Sequence, residues 1–165
     1  ELQNLASKHP NLVIIPLDVS DPPSVKAAGA RGAAARVGEQ LGGSGLNLLI
    51  NNAAMLIYDT LENETLERMS QTYTTNTIGP LLMGQMSSSV GSIGDIRFWD
   101  KAQYVSYRCS KAALNMLTRC QALGYREHGV LCAVLHPGWV QTDMGNSVGE
   151  RPPVMVDTSV RGMLQ

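Results

Sequence analysis

Apolar and polar positions follow one another along the chain in blocks that switch between two periods. Leu12-Val13-Ile14-Ile15-Pro16-Leu17 and Leu46-Asn47-Leu48-Leu49-Ile50 are short, almost unbroken apolar runs. They end in Asp18-Val19-Ser20-Asp21 and in Asn51-Asn52-Ala53-Ala54, the pattern of strands buried on both faces. Val130-Leu131-Cys132-Ala133-Val134-Leu135 is a third such run, followed by the loop His136-Pro137-Gly138-Trp139-Val140-Gln141-Thr142-Asp143. The intervening stretches carry helical spacing. Residues 1–6 begin without a methionine or a cap, 24–41 predict an Ala- and Gly-rich helix, and Leu61 opens a helix that runs through Met69, Tyr73, Asn76 and Ile78 towards Leu82 and Met83. Tyr107 to Arg126 predicts the longest helix, with Ala113, Met116, Leu117, Cys120 and Leu123 as the stripe that should pack on a sheet. Apolar strands separated by helices predict a parallel α/β sheet whose carboxyl edge binds ligand. After Gln85 a small-residue loop, Met86-Ser87-Ser88-Ser89-Val90-Gly91-Ser92-Ile93-Gly94, stands where such a fold should have a strand.

Composition narrows the class. The 165 residues are 44% hydrophobic and 16% charged with a formal net charge of -1, which suits a single domain over 1–165 and argues against nucleic-acid backbone binding. No apolar run approaches the ~20 residues that span a bilayer, and no signal peptide is visible, so a cytoplasmic protein is expected. The three cysteines, Cys109, Cys120 and Cys132, have no metal-ligand spacing and read as reduced and mostly buried, with no metal site expected. His9, His128 and His136 have no partners in sequence and read as structural or surface residues.

The candidate chemistry lies at Tyr107 and Lys111, four apart on one helix face. A phenol of pKa about 10 needs a shift of roughly three units, worth about 4 kcal/mol, to trade protons near neutrality. A neighbouring ammonium acts in that direction. A Tyr-x-x-x-Lys pair also arises by chance with odds of roughly one in eight in a chain of this make-up, and Asn76 alone reads as a solvent-facing residue in a helix.

Asp18-Val19, Asn51-Asn52-Ala53-Ala54, Asn76, Ser87-Ser88-Ser89, Tyr107 with Lys111, Pro137-Gly138 and Thr142 occur in an order, and at strand ends, that resembles the short-chain dehydrogenase/reductase family, in its carbonyl-reductase-like (C-factor/sniffer-like) branch. The resemblance implies a Rossmann-type doubly wound parallel sheet in three α/β/α layers. It makes Tyr107 similar to the family's general acid and Lys111 the group that lowers the tyrosine pKa and holds the nicotinamide ribose. Ser88 would bond the substrate oxygen, in preference to Ser87 or Ser89, and Asn76 would support a water-linked proton path to the lysine. By the same resemblance Asp18 and Val19 meet the adenine, Asn51, Ala53 and Ala54 line the adenine ribose, Pro137 and Gly138 shape the loop beneath the nicotinamide, and Thr142 bonds its carboxamide. Asp18 reads equally as a helix-capping carboxylate if no adenine binds.

The expected function is NAD(P)-dependent reduction of a small carbonyl compound, with NADP slightly favoured over NAD by the resemblance. Met144, Val148, Pro152 and Met155 would make an apolar substrate wall. Relative to the family the chain reads as partial. It lacks the first strand, glycine-rich turn and helix that cradle a pyrophosphate, part of the serine-bearing strand region, and the last strand. Only eleven residues separate Asn76 from Ser88, too few for a helix end, a turn and a strand of ~5 residues. The chain as it stands is therefore expected not to bind NADPH tightly. The alternative is a non-catalytic shortened family member that acts only through protein association. Surplus apolar residues on the two long helices, together with the resemblance, imply a homodimer or homotetramer with no nucleic-acid or membrane partner.

Overall fold

The computed structural model describes residues 2–21, 23, 33–82 and 85–165. They form two compact units, Glu1–Asn47 and Leu48–Gln165.

In the first unit, α1 (Leu2–Ala6) is the expected opening helix, and α2 (Ala33–Leu41) is the carboxyl part of the helix expected over 24–41. Its amino-terminal part, together with residue 22, lies outside the described residues. The run from Leu12 to Leu17 is not a strand, and Leu12, Val13 and Ile14 are exposed. A strand is stable only when a neighbour accepts and donates its backbone hydrogen bonds, and no ladder reaches this run among the described residues.

The strand expected over 46–50 likewise joins no ladder among the described residues, with Leu48, Leu49 and Ile50 exposed. The parallel order is nonetheless visible at its end. The Asn51 carbonyl accepts from Met86 N at 2.9 Å, and β1 (Gln85–Met86) pairs in parallel with β2 (Val134–Leu135), Gln85 opposite Val134 and Met86 opposite Leu135. A strand therefore does precede the serines, contrary to the sequence expectation. It fits because it is two residues long, and because the α-helical winding before it ends at Tyr73.

That helix, α3 (Leu66–Tyr73), begins at Thr65 and not at Leu61, since the Thr65 hydroxyl accepts from Arg68 N at 3.2 Å and the Asn63 side chain turns the chain back onto Thr60 N at 2.8 Å. After Tyr73 the winding loosens into one π turn (Thr74–Ile78) and then tightens into a 3-10 turn (Gly79–Leu82) containing Pro80. A 3-10 turn advances about 2 Å per residue against 1.5 Å in an α-helix, which extends the reach of the chain towards the sheet. Residues 83 and 84 lie outside the described residues.

The long helix, α4 (Val105–Gly124), starts two residues early and is followed by a 3-10 turn, Arg126–His128. Its start is set from a distance: Asp59 Oδ2 accepts from Ser106 N at 3.1 Å and the Asp59 carbonyl accepts from Tyr104 N at 3.2 Å. These bonds, with an edge-on contact to Tyr58 at 5.1 Å, hold Tyr104 in the left-handed region (φ 46°), a conformation that costs a side-chain-bearing residue of order 1 kcal/mol or more. The buried face of α4 is a mainly polar one, Ser106, Ser110, Lys111, Leu114 and Thr118, whereas Met116, Cys120 and Leu123 of the expected packing stripe are exposed. Leu114, 1% exposed, is the hydrophobic side chain most completely buried among the described residues. Hydrogen bonding thus orients this helix more than apolar burial does. Two short helices, α5 (Asp143–Asn146) and α6 (Val156–Met163), close the chain. Among the described residues no helix is long and apolar enough to cross a membrane.

Candidate active site

One turn and one helix meet to make the site. From β1 the chain enters Ser87 and Ser88, then a 3-10 turn, Ser89–Gly91, whose first free N–H, that of Val90, is capped by the Ser88 hydroxyl at 3.3 Å. The turn lies flat on α4. A Cβ on Gly91 would come within 2.7 Å of the Lys111 carbonyl carbon, so only glycine permits this approach.

Tyr107 and Lys111 share the face of α4 turned to that strand and turn. Lys111, 2% exposed, donates to the Met86 carbonyl at 3.2 Å, and its Nζ sits 5.5 Å from the centre of the Tyr107 ring. Burial lowers the lysine pKa to about 8. Burial also raises the Tyr107 phenol above its ordinary 10, while hydrogen bonding to the Ser88 side chain pulls it part of the way back. The net direction for the phenol is upward, because loss of water around it is the largest influence.

The three consecutive serines have three different partners. Ser87 Oγ donates to Asn115 Oδ1 at 2.5 Å, and Ser89 Oγ is 3.2 Å from His136 Nε2. Ser88 is left to face Tyr107. Partial loss of water lowers the pKa of the exposed His136, and its contact ties the serine turn to the loop after β2.

Asn76, fully buried, sits within the π turn. Its Oδ1 accepts from Met55 N at 2.8 Å, and its Nδ2 donates to the Met55 carbonyl at 2.9 Å and to Ser110 Oγ at 3.0 Å. Ser110 Oγ in turn donates to the Tyr107 carbonyl at 2.8 Å. Asn76 is therefore not solvent-facing, and its amide is spent on pinning the segment after Asn51 to the Tyr107 helix.

The remaining sequence candidates divide. Asn51 stands at the sheet edge beside Met86, and its Nδ2 is buried without a partner, a donor ready for an acceptor group. Ala53 is exposed and Ala54 half-buried just beyond it. Pro137 and Gly138 are half-buried; Gly138 is left-handed (φ 87°) with Val154 at 3.2 Å from where a Cβ would stand, and the Pro137 carbonyl accepts from Ser159 Oγ at 2.7 Å. Thr142 caps α5, accepting from Gly145 N at 3.1 Å, so its hydroxyl has a structural duty. Pro152 is buried against Gly145 and does not line an open wall, whereas Met144 and Val148 are half-buried and Met155 is exposed. The loop carrying them is held by Tyr58, whose hydroxyl donates to the Ser147 carbonyl at 2.9 Å.

In the first unit the Asp18 carboxylate accepts from Ser20 N at 2.8 Å and Ser20 Oγ at 2.6 Å, bonds that lower its pKa; Val19 is half-buried in the same turn. Cys109, Cys120 and Cys132 are free thiols, and Cys120 is exposed where burial was expected. The residues missed in sequence are Ser110, Asn115 and His136. Their one sequence signal is that Asn115 lies four beyond Lys111 and eight beyond Tyr107, on the same helical line.

The family model described as short chain dehydrogenase matches residues 1–153. The structure is similar to that of an NADPH-bound carbonyl reductase from chicken fatty liver, with 55% identity, 99% of this chain and 72% of that one covered, and a TM-score of 0.87. It is also similar to the carbonyl reductase Sniffer of D. melanogaster, with 29% identity, 99% and 73% covered, and a TM-score of 0.84. C-signal of Myxococcus xanthus is 35% identical over 137 residues, 73% of this chain and 79% of that one. Two further oxidoreductase relatives are longer, and the match spans 43% and 49% of them.

Proposed function

The chain belongs to the short-chain dehydrogenase family, and from that premise we propose that it is an NAD(P)-dependent oxidoreductase that reduces a small, apolar carbonyl compound in the cytoplasm. The observation that carries this reading is the convergence of Tyr107, Ser88 and Lys111 on one partly desolvated spot. When bound, the nicotinamide supplies the hydride to the carbonyl carbon. Tyr107, whose raised pKa keeps it protonated at neutral pH, hands its proton to the carbonyl oxygen and afterwards regains one from solvent. Ser88 donates a hydrogen bond to the same oxygen where negative charge develops.

Lys111, still largely an ammonium at pH 7 with a pKa of about 8, holds the ribose hydroxyls. Asn51 fits the adenine ribose through its unpartnered Nδ2, with Ala53 and Ala54 letting the backbone approach. Pro137 and Gly138 support the nicotinamide ring, and Thr142 reaches its carboxamide. NADP is preferred to NAD on the strength of the NADPH-bound chicken relative. Asn76 acts by positioning Tyr107 through Ser110.

The test is Tyr107→Phe in the protein, assayed with NADPH and a panel of small aldehydes and ketones by loss of NADPH absorbance. The variant should retain its fold and lose at least ~10²-fold in kcat/KM, because it deletes the proton donor and little packing. Turnover equal to the wild type would refute the assignment.

A further inference from the structure

The serine turn is gripped at both of its ends by one side chain. Asn115 Oδ1 accepts from Ser87 Oγ at 2.5 Å, and Asn115 Nδ2 donates to the Gly91 carbonyl at 3.4 Å. Between those two points stands Ser88, extended (φ -148°, ψ 147°) and, among the described residues, with no side-chain anchor of its own to α4 apart from Tyr107. Asn115 lies one helical turn beyond Lys111 and two beyond Tyr107, so a single line on α4 carries the acid, the lysine and the clamp. An amide is suited to this duty, since it offers one acceptor and two donors on a rigid plane and can serve a hydroxyl and a carbonyl at once. Leucine would fill the same space and serve neither.

We propose that Asn115 is a positioning residue that fixes Ser88 against Tyr107 by bridging the two ends of the Ser87–Gly91 turn. The proposal rests on the function given above for Tyr107 and Ser88, but its geometry is independent of turnover. Without the clamp the turn keeps its bond from Ser87 N to the Leu135 carbonyl and the contact of Ser89 with His136, so it stays folded while Ser88 gains freedom to swing. The phenol then loses the hydrogen bond that opposes the effect of burial on it, and the substrate oxygen loses a fixed donor.

The test uses Asn115→Leu, Asn115→Asp and Ser87→Ala in the full chain. The first readout needs no activity: the phenolate fraction of Tyr107 at about pH 10, from carbon-13 tyrosine NMR, with the resonance assigned by its absence in Tyr107→Phe. Asn115→Leu should lower that fraction at least about twofold, and Ser87→Ala, which removes only one end of the clamp, should lower it less. Asn115→Asp, which keeps the acceptor for Ser87, should lie between wild type and leucine. The second readout is the split of kcat from the KM for NADPH, with kcat falling roughly tenfold and KM changing less than about twofold. An unchanged Tyr107 titration in both a folded Asn115 variant and Ser87→Ala would overturn the proposal. A shifted titration in a protein that reduces no carbonyl would support the clamp while rejecting the functional reading.

Discussion

Lys111 offers the most quantitative check on the site. It is buried at 2% exposure, its one hydrogen-bond acceptor among the described residues is the neutral Met86 carbonyl, and its pKa is lowered from 10.5 to about 8 by loss of water. Between those two values the unfolded chain binds more proton than the folded chain. Stability from this group therefore rises with pH through the window from about 8 to 10.5. Keeping the ammonium buried costs about 3 kcal/mol at pH 7 and about 1 kcal/mol at pH 10. Lys111→Met preserves the length of the stem and removes the charge, but forfeits the bond to Met86, worth ~1 kcal/mol.

The variant should accordingly be more stable than wild type by about 2 kcal/mol at pH 7, and this advantage should vanish by about pH 10. Urea melts of both proteins from about pH 7 to 10, followed by circular dichroism, read the difference directly. Other groups that titrate in this range cancel in the subtraction. Keeping below pH 10 avoids Tyr107, whose raised pKa works with the opposite sign, giving stability that is lost as pH rises above its unfolded value. A difference in stability that does not change with pH would refute the account of a desolvated, unpaired ammonium.

Asn76→Ala should destabilise the fold by roughly 2–4 kcal/mol in the same melts, because it leaves both backbone groups of the half-buried Met55 without their partner and takes one donor from the buried Ser110 hydroxyl; a loss under about 0.5 kcal/mol would show that water replaces the amide without penalty. The exposed faces of α3 and α4, with Leu66 85% and Met116 65% exposed, support the proposal of a homodimer built on these helices. Light scattering should give a dimer mass for the wild type and a monomer mass for the Leu66→Glu, Met116→Glu double variant, and a wild-type monomer at micromolar concentration would end that proposal.

The sequence by itself determined what depends on near neighbours. The i, i+4 relation of Tyr107 and Lys111 follows from helix geometry alone. So do the existence of α1 and the body of α4, and the loop that closes β2 with Pro137 and Gly138. The order of motifs along the chain was enough to indicate the family. Tertiary structure decided everything whose partner lies far away in sequence. Three adjacent serines are chemically alike, and only Asn115, 28 residues from Ser87, and His136, 47 from Ser89, tell them apart.

Asn76 changed from a surface residue to a buried brace because Met55 and Ser110, 21 and 34 residues away, take up its amide. The start of α4 was set by Asp59, 47 residues before Ser106. The apolar stripe on α4, with Ala113 and Leu117 half-buried and Met116, Cys120 and Leu123 exposed, is not the most buried face for a related reason. Periodicity reports that a helix has two faces, but which one is buried depends on what is brought against it. Here a turn rich in hydrogen-bonding groups covers the polar face and leaves Met116 and Leu123 outside. The apolar runs at 12–17 and 46–50 have the composition of strands, yet a strand is a relation between two segments, and composition cannot supply the second one.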